Sequence, residues 1–187
     1  MRSRLAPLLL AAAIGGGCGD EGSVELAWVF VDRDGEPIFP GGAFSIDVFG
    51  STCGLPGMLP TVQPDQGVPY DMRVELELCD PECAAGCDAE ECLVVPRRRF
   101  ACNAARGHLP TVPASDTPYR FTVRTVLSAP GIDLECRDPA PSCIAAPSPR
   151  ERLVEPGLVT DLQVYQLVVD IDLGGDRTLD LEACGCA

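Results

Sequence analysis

Apolar and polar residues alternate with a period of two in several stretches of the chain. Val24, Leu26, Trp28 and Phe30 share one parity, as do Phe44, Ile46 and Val48, and Met72, Val74, Leu76 and Leu78 are separated by Arg73, Glu75 and Glu77. Tyr119, Phe121, Val123, Thr125 and Leu127 alternate with Arg120, Thr122 and Arg124, and residues 162–173 carry Val164, Tyr165, Leu167, Val168, Val169 and Ile171. Successive side chains of a strand point to opposite faces, so each pattern predicts a strand with one face in a core and the other toward solvent. Weaker strands are expected over 98–102, 132–136 and 178–181. No window of a dozen residues repeats with the helical period, and the 18 prolines interrupt most windows that could. The pattern predicts an all-β domain, a Greek-key β-sandwich of about seven to nine strands with long loops. A closed barrel is the alternative, and loops of very different length count against it.

The start of the chain has a different logic. Met1-Arg2-Ser3-Arg4 precedes an apolar run from Leu5 to Ile14 and then Gly15-Gly16-Gly17-Cys18. A charged start, a short apolar core and small residues make a secretory leader. The run falls short of the roughly 20 apolar residues that a membrane-spanning helix needs, and no later run approaches that length. A cysteine directly after small residues resembles the lipobox of bacterial lipoproteins, which implies cleavage before Cys18 and a diacylglyceryl group on its sulfur. Gly15 stands where a lipobox usually has Leu, with Ile14 one place further back, and cleavage after Ala11-Ala12-Ala13 is the competing reading. Parity favours the lipobox: the chain has 11 cysteines, and secreted cysteines pair, so withdrawing Cys18 leaves an even set. Gly19 after the cysteine implies sorting to the outer membrane rather than retention at the inner one. The expected organisation is a leader over 1–17, a lipidated Cys18 with a short tether over 18–23, and one domain over 24–187.

Composition narrows the chemistry. The 187 residues contain no Lys, all 14 basic residues are Arg, and there is a single His. Mechanisms that need a lysine are excluded, as is a site built from several histidines. A net charge of −14 has the wrong sign for neutralising phosphates, so no nucleic acid is expected as partner. An acidic body is also repelled by an anionic bilayer, which leaves attachment to the anchor and leaves an unknown basic protein, a divalent cation or a neutral glycan as candidate partners.

Ten cysteines follow Cys18: Cys53, Cys79, Cys83, Cys87, Cys92, Cys102, Cys136, Cys143, Cys184 and Cys186. Residues 80–91 are acidic and lack apolar periodicity, so cross-links are the plain reason for the cysteines around them. All ten are expected in disulfides, with Cys136–Cys143 the natural local pair and the other pairings open. Cys79-x3-Cys83-x3-Cys87 has the residue types for zinc or an iron–sulfur cluster, but an oxidising compartment opposes free thiolates. Cys184-Gly185-Cys186 resembles a small redox dithiol; the plainer reading has each cysteine pin the C-terminus to a different strand. Asp32 and Asp34 before Gly35, and Asp170, Asp172 and Asp176 around Gly174-Gly175, are calcium candidates, though neither set completes a cation-binding loop and both suit ordinary turns. His108 lies in a loop-like stretch and has no Gly-x-Ser-x-Gly nucleophile to serve. Arg97-Arg98-Arg99 is expected to guard a strand edge or pair with acids.

Val31-Asp32-Arg33-Asp34-Gly35-Glu36-Pro37-Ile38 with Gly41-Gly42-Ala43-Phe44-Ser45-Ile46 resembles the first hairpin of transthyretin-like and carboxypeptidase-regulatory-like sandwich domains. The chain is also similar to small cysteine-containing β-sandwich lipoproteins of Gram-negative bacteria, through Trp28, Cys53, Cys102 and Val159-Thr160-Asp161-Leu162. These resemblances imply a fold and an envelope location, and no activity. The expectation is a non-catalytic, lipid-anchored binding or structural module without cofactor or catalytic residues. A thiol redox protein using Cys184 and Cys186 and a calcium-dependent adhesion module are the alternatives. Its working surface is expected on the loops 50–69 and 80–92.

Overall fold

Along Glu21–Val31 the even-numbered residues from Gly22 to Phe30 are buried and those between them are half-buried or exposed, which makes this segment strand β1. The computed structural model describes residues 20–37, 71–129, 134–169 and 184–186. Within them follow β2 (Asp71–Cys79), β3 (Arg98–Ala101), β4 (Arg106–Pro113), β5 (Tyr119–Ala129), β6 (Leu134–Cys136), β7 (Ile144–Ala145), β8 (Arg150–Arg152) and β9 (Val159–Val169). Short 3-10 turns at Glu90–Cys92 and Cys102–Ala104 are the helical elements among the described residues. The expected strands over 44–48 and 178–181 and the loop 50–69 lie outside the described residues.

The strands form two sheets, which makes the chain all-β. One has the order β4-β1-β9-β7; the other runs β3-β2-β5, with β6 and β8 both on the far side of β5. β8 pairs with the start of β5 and β6 with its end. β1 and β9 are parallel and every other pairing is antiparallel. Both sheets contribute to one core: Trp28 and Phe30 from β1, Val74 and Leu76 from β2, Phe121 from β5 and Tyr165 from β9 lie in a single buried cluster. Fully burying a side chain of this size contributes about 1.5–3 kcal/mol. The Trp28 indole Nε1 donates to the Cys102 carbonyl at 2.9 Å, and its ring stands 5.7 Å from that of Phe100 at a tilt, so the buried polar atom is satisfied.

Strand β4 was not legible in the sequence, because Gly107, Pro110 and Pro113 read as a loop. The structure corrects that expectation, and His108 lies exposed on the strand, opposite Glu25. Pro110 is tolerated because the register with β1 slips there: Gly22 pairs with Val112 and Val24 with Leu109, leaving one extra residue on β4. Gly107 is required, since a Cβ there would come within 2.8 Å of Leu26 and Phe100. Strand β9 has the same irregularity. Glu25 pairs with Asp161 and Ala27 with Val164, and Gln163 takes a positive φ of 63°. The bulge switches parity, so Leu162 points inward before it and Tyr165, Leu167 and Val169 after it, while Val164 is exposed. The apolar run of β9 is therefore uneven in sequence and orderly in space.

Candidate functional site

The excursion between β2 and β3 is built as a ladder of turns. Asp80, Cys83, Gly86 and Ala89 each accept, through their carbonyls, the N–H of the residue three places on, at 3.0–3.1 Å. Gly86 has φ +78° and permits the reversal there. Two interleaved disulfides, Cys79–Cys87 and Cys83–Cys92, lock the ladder. Its two ends meet where Asp80 N donates to Cys92 O, Val94 N donates to Leu78 O and Cys79 bridges to Leu93. Acidic residues that cannot form a core are thus held in one conformation, with Glu82, Asp88, Glu90 and Glu91 exposed. All four cysteines are in disulfides and offer no thiolate to zinc or an iron–sulfur cluster.

Beside this loop, the outward face of β2 departs from the expected alternation. Glu75 and Glu77, placed by periodicity on a solvent face, are buried. Four arginines cover them. Arg99 Nε donates to Glu75 at 2.8 Å, and Arg137 donates to the other Glu75 oxygen through Nε at 3.1 Å and through Nη2. Arg97 Nε donates to Glu77 at 2.7 Å, and Arg124 Nη2 reaches it at 3.4 Å. Three outer carboxylates close the network: Glu90 on Arg97, Glu135 on Arg99 and Asp138 on Arg124. Burial pushes the Glu75 carboxyl up, but hydrogen bonds from Arg137 and Arg99 together with their charge outweigh it and hold it below the ordinary carboxylate range. The hydrogen bond from Arg99 likewise lowers Glu135, and Arg99 itself is raised by its bonds to Glu135 and Glu75. Both oxygens of Glu75 are occupied by guanidinium donors, so the group is a structural anion and not an acid–base catalyst.

Arg97-Arg98-Arg99 therefore has a divided role: Arg97 and Arg99 pair with the buried acids, while Arg98 is exposed. The acids and Arg124 and Arg137 escaped sequence reasoning because a charged residue on the outer parity of a strand looks solvated. The usable signal was that Glu75 and Glu77 share a parity on β2 while the strands that flank it, β3 and β5, carry Arg99 and Arg124.

At the C-terminus the expected local bridge between Cys136 and Cys143 does not form. Cys136 bonds Cys186 and Cys143 bonds Cys184. Cys136 belongs to β6 in one sheet, and Cys143 immediately precedes β7 in the other, so the two cysteines of Cys184-Gly185-Cys186 tie the chain end to both sheets. Ala140 N also donates to Cys184 O at 2.7 Å. Cys184 and Cys186 are not bridged to each other. Cys102 is disulfide-bonded as well, to a partner outside the described residues. Cys18 and Cys53 lie outside them too.

Of the calcium candidates, Asp32 uses its Oδ1 to accept the backbone N–H groups of Asp34 and Glu36, each at 2.9 Å, which fixes the turn leaving β1. Asp170, Asp172 and Asp176 lie outside the described residues. Among the described residues no group of three or more His, Cys, Asp or Glu is placed to hold a metal. An open cavity of about 430 Å³ lies beside the start of β1, lined by Asp20, Ser115, Asp116, Leu153, Glu155 and Pro156. No helix among the described residues is long and apolar enough to cross a membrane. No protein-family model, curated protein or solved structure matches the chain.

Proposed function

We propose that this chain is a lipid-anchored protein of the bacterial cell envelope, attached through Cys18 to the outer membrane, which acts as a non-catalytic binding or structural module. The observation that carries the reading is the cysteine inventory. Eight cysteines form four disulfides and Cys102 is in a fifth, so Cys18 and Cys53 are what remain of the 11. One of them is needed for Cys102 and the other is left over. Cys18, directly after the apolar leader and small residues, suits the thioether of a lipoprotein, and disulfides of this density suit an oxidising compartment.

The finer fold assignment, a Greek-key sandwich like those of transthyretin-like and immunoglobulin-like domains, is supported by how often the chain changes sheets. β3 to β4, β4 to β5, β6 to β7, β7 to β8 and β8 to β9 all cross between them. Recognition falls to the loops. The excursion over 80–92 presents exposed carboxylates on a doubly stapled frame, which suits a basic protein partner. Fractionation of cells expressing the full chain and its Cys18→Ser variant tests the anchor. The wild type is expected in the membrane pellet and the variant in the soluble envelope fraction; equal distribution of the two would remove the anchor from the account.

A further inference from the structure

The turn from Leu153 to Val159 wraps around the first residues of β1. Gly157 N donates to Glu21 O at 2.8 Å, Ser23 N donates to Leu158 O at 2.9 Å, and Ser23 pairs with Val159 in the β1–β9 register. Thr160 Oγ1 holds the Leu153 carbonyl at 3.0 Å, and Ser115 N holds that of Val154, whose side chain anchors the turn in the core. A Cβ on Gly22 would meet Glu155 O at 2.5 Å, so strand and turn are in close contact. These hydrogen bonds hold the turn's backbone, yet three aliphatic side chains face outward: Leu153 is 44% exposed, Leu158 55% and Val159 58%. They make up three of the four large exposed hydrophobic residues among those described. Isolated exposed leucines are ordinary, but three on one hydrogen-bonded turn form a patch.

The position of that patch selects its occupant. Cys18 precedes Glu21 by three residues, which reach at most about 11 Å when extended. A lipid on Cys18 places the Glu21 end of β1, and with it the turn bonded to Glu21 and Ser23, against the headgroup layer. We propose that Leu153, Leu158 and Val159 form a membrane-contact patch that seats the domain on the bilayer holding its own anchor. The inference rests on the anchor reading above. Asp20 and Glu155 line one cavity with Leu153, and the exposed Glu21 is hydrogen-bonded to the turn, so the lipid that the patch suits is zwitterionic rather than anionic. A short tether and an apolar contact together fix which way up the domain stands, with β1 leading away from the membrane.

The test uses the full lipidated chain in phosphatidylcholine vesicles containing lipids brominated near the headgroup end of the acyl chain. Tryptophan is placed at Leu158→Trp, at Leu153→Trp as a second reporter, and at Val164→Trp as a control on the same sheet but further from the anchor. Trp28 is 2% exposed and supplies a constant background measured in the parent protein. The contact predicts that bromine quenches roughly half or more of the added emission at positions 158 and 153 and little at 164, as shallow interfacial insertion requires. Unquenched reporters at 158 and 153 in protein whose mass shows lipid on Cys18 overturn the contact and leave the anchor standing. Protein whose mass shows Cys18 unmodified overturns the anchor, and the contact with it.

Discussion

Arg99 stands directly opposite Glu75 in the β2–β3 register and donates its Nε–H to Glu75 Oε2 at 2.8 Å, while Arg124 stands opposite Glu75 on the other side, in β5. A carboxylate that a sequence pattern assigns to solvent is thereby buried in a row of arginines. Removing an ion from a buried cluster leaves its partners uncompensated, which costs about 3–5 kcal/mol for fully buried pairs and less where, as here, the guanidiniums retain some exposure. Glu75→Ala is expected to lower unfolding stability by about 2–3 kcal/mol in urea titrations, whereas Arg98→Ala, on the neighbouring strand β3 but exposed, changes it by less than about 0.5 kcal/mol. Equal effects would mean that the network is not a structural element.

The lowered pKa of Glu75 sets the sign of a pH dependence. The unfolded chain binds a proton to this group at higher pH than the folded chain does, so its stabilisation is complete above the ordinary carboxylate range and is lost as pH falls through the lowered folded value. Glu135, lowered by Arg99, acts in the same direction. Thermal unfolding followed from neutral to acid conditions is expected to show a falling melting temperature below about pH 4. That slope should be shallower in Glu75→Gln, which cannot ionise.

Two kinds of staple differ in loop length. Cys136–Cys186 and Cys143–Cys184 close 50 and 41 residues, against 8 and 9 for Cys79–Cys87 and Cys83–Cys92. In the chain-entropy treatment the long closures are worth about 4 kcal/mol each and the short ones about 2.5. Replacing Cys143 and Cys184 together with Ser is expected to destabilise the domain more than replacing Cys83 and Cys92 together. The short-loop variant should instead gain protease sensitivity confined to 80–92, read by mass mapping of limited digests.

Among the described residues, the Tyr165 hydroxyl and the Thr125 hydroxyl are buried with no hydrogen-bond partner. The Tyr165 ring is satisfied otherwise: Arg150 stacks on it at 3.9 Å while donating to the carbonyls of Leu162 and Val164 at the β9 bulge. An unpaired buried hydroxyl costs about 1–3 kcal/mol, so Tyr165→Phe and Thr125→Val are each expected to raise stability by about 1 kcal/mol, visible as a higher melting temperature. Arg150→Ala, which removes both the stack and the two bulge contacts, should lower it.

Where one residue parity meets one face, sequence and structure agree: β1 and β5 were legible from alternation alone, down to the inward set Phe121, Val123 and Thr125, as was the inward parity of β2, whose outer Glu75 and Glu77 are buried as well. Legibility failed for three physical reasons. A bulge shifts the parity of β4 and β9 in mid-strand, and Pro110 within one of them resembles a break. Strands as short as β7 and β8 are defined by their partners and carry no period of their own. Disulfide connectivity depends on which strand ends meet in space, so the short spacing of Cys136 and Cys143 misled while both cysteines reached the distant C-terminus. The acidic loop was recognisable as stapled from its cysteines, but the arginine-covered acids beside it required the strand register.

In the proposed state every cysteine other than a lipidated Cys18 is in a disulfide. Intact mass of the protein extracted from its native membrane, taken with and without alkylation in the absence of reductant, tests both parts at once. The account predicts a diacylglyceryl-modified Cys18 at the N-terminus and no mass gained on alkylation. An N-terminus without lipid, or alkylated thiols at Cys184 and Cys186, would contradict it.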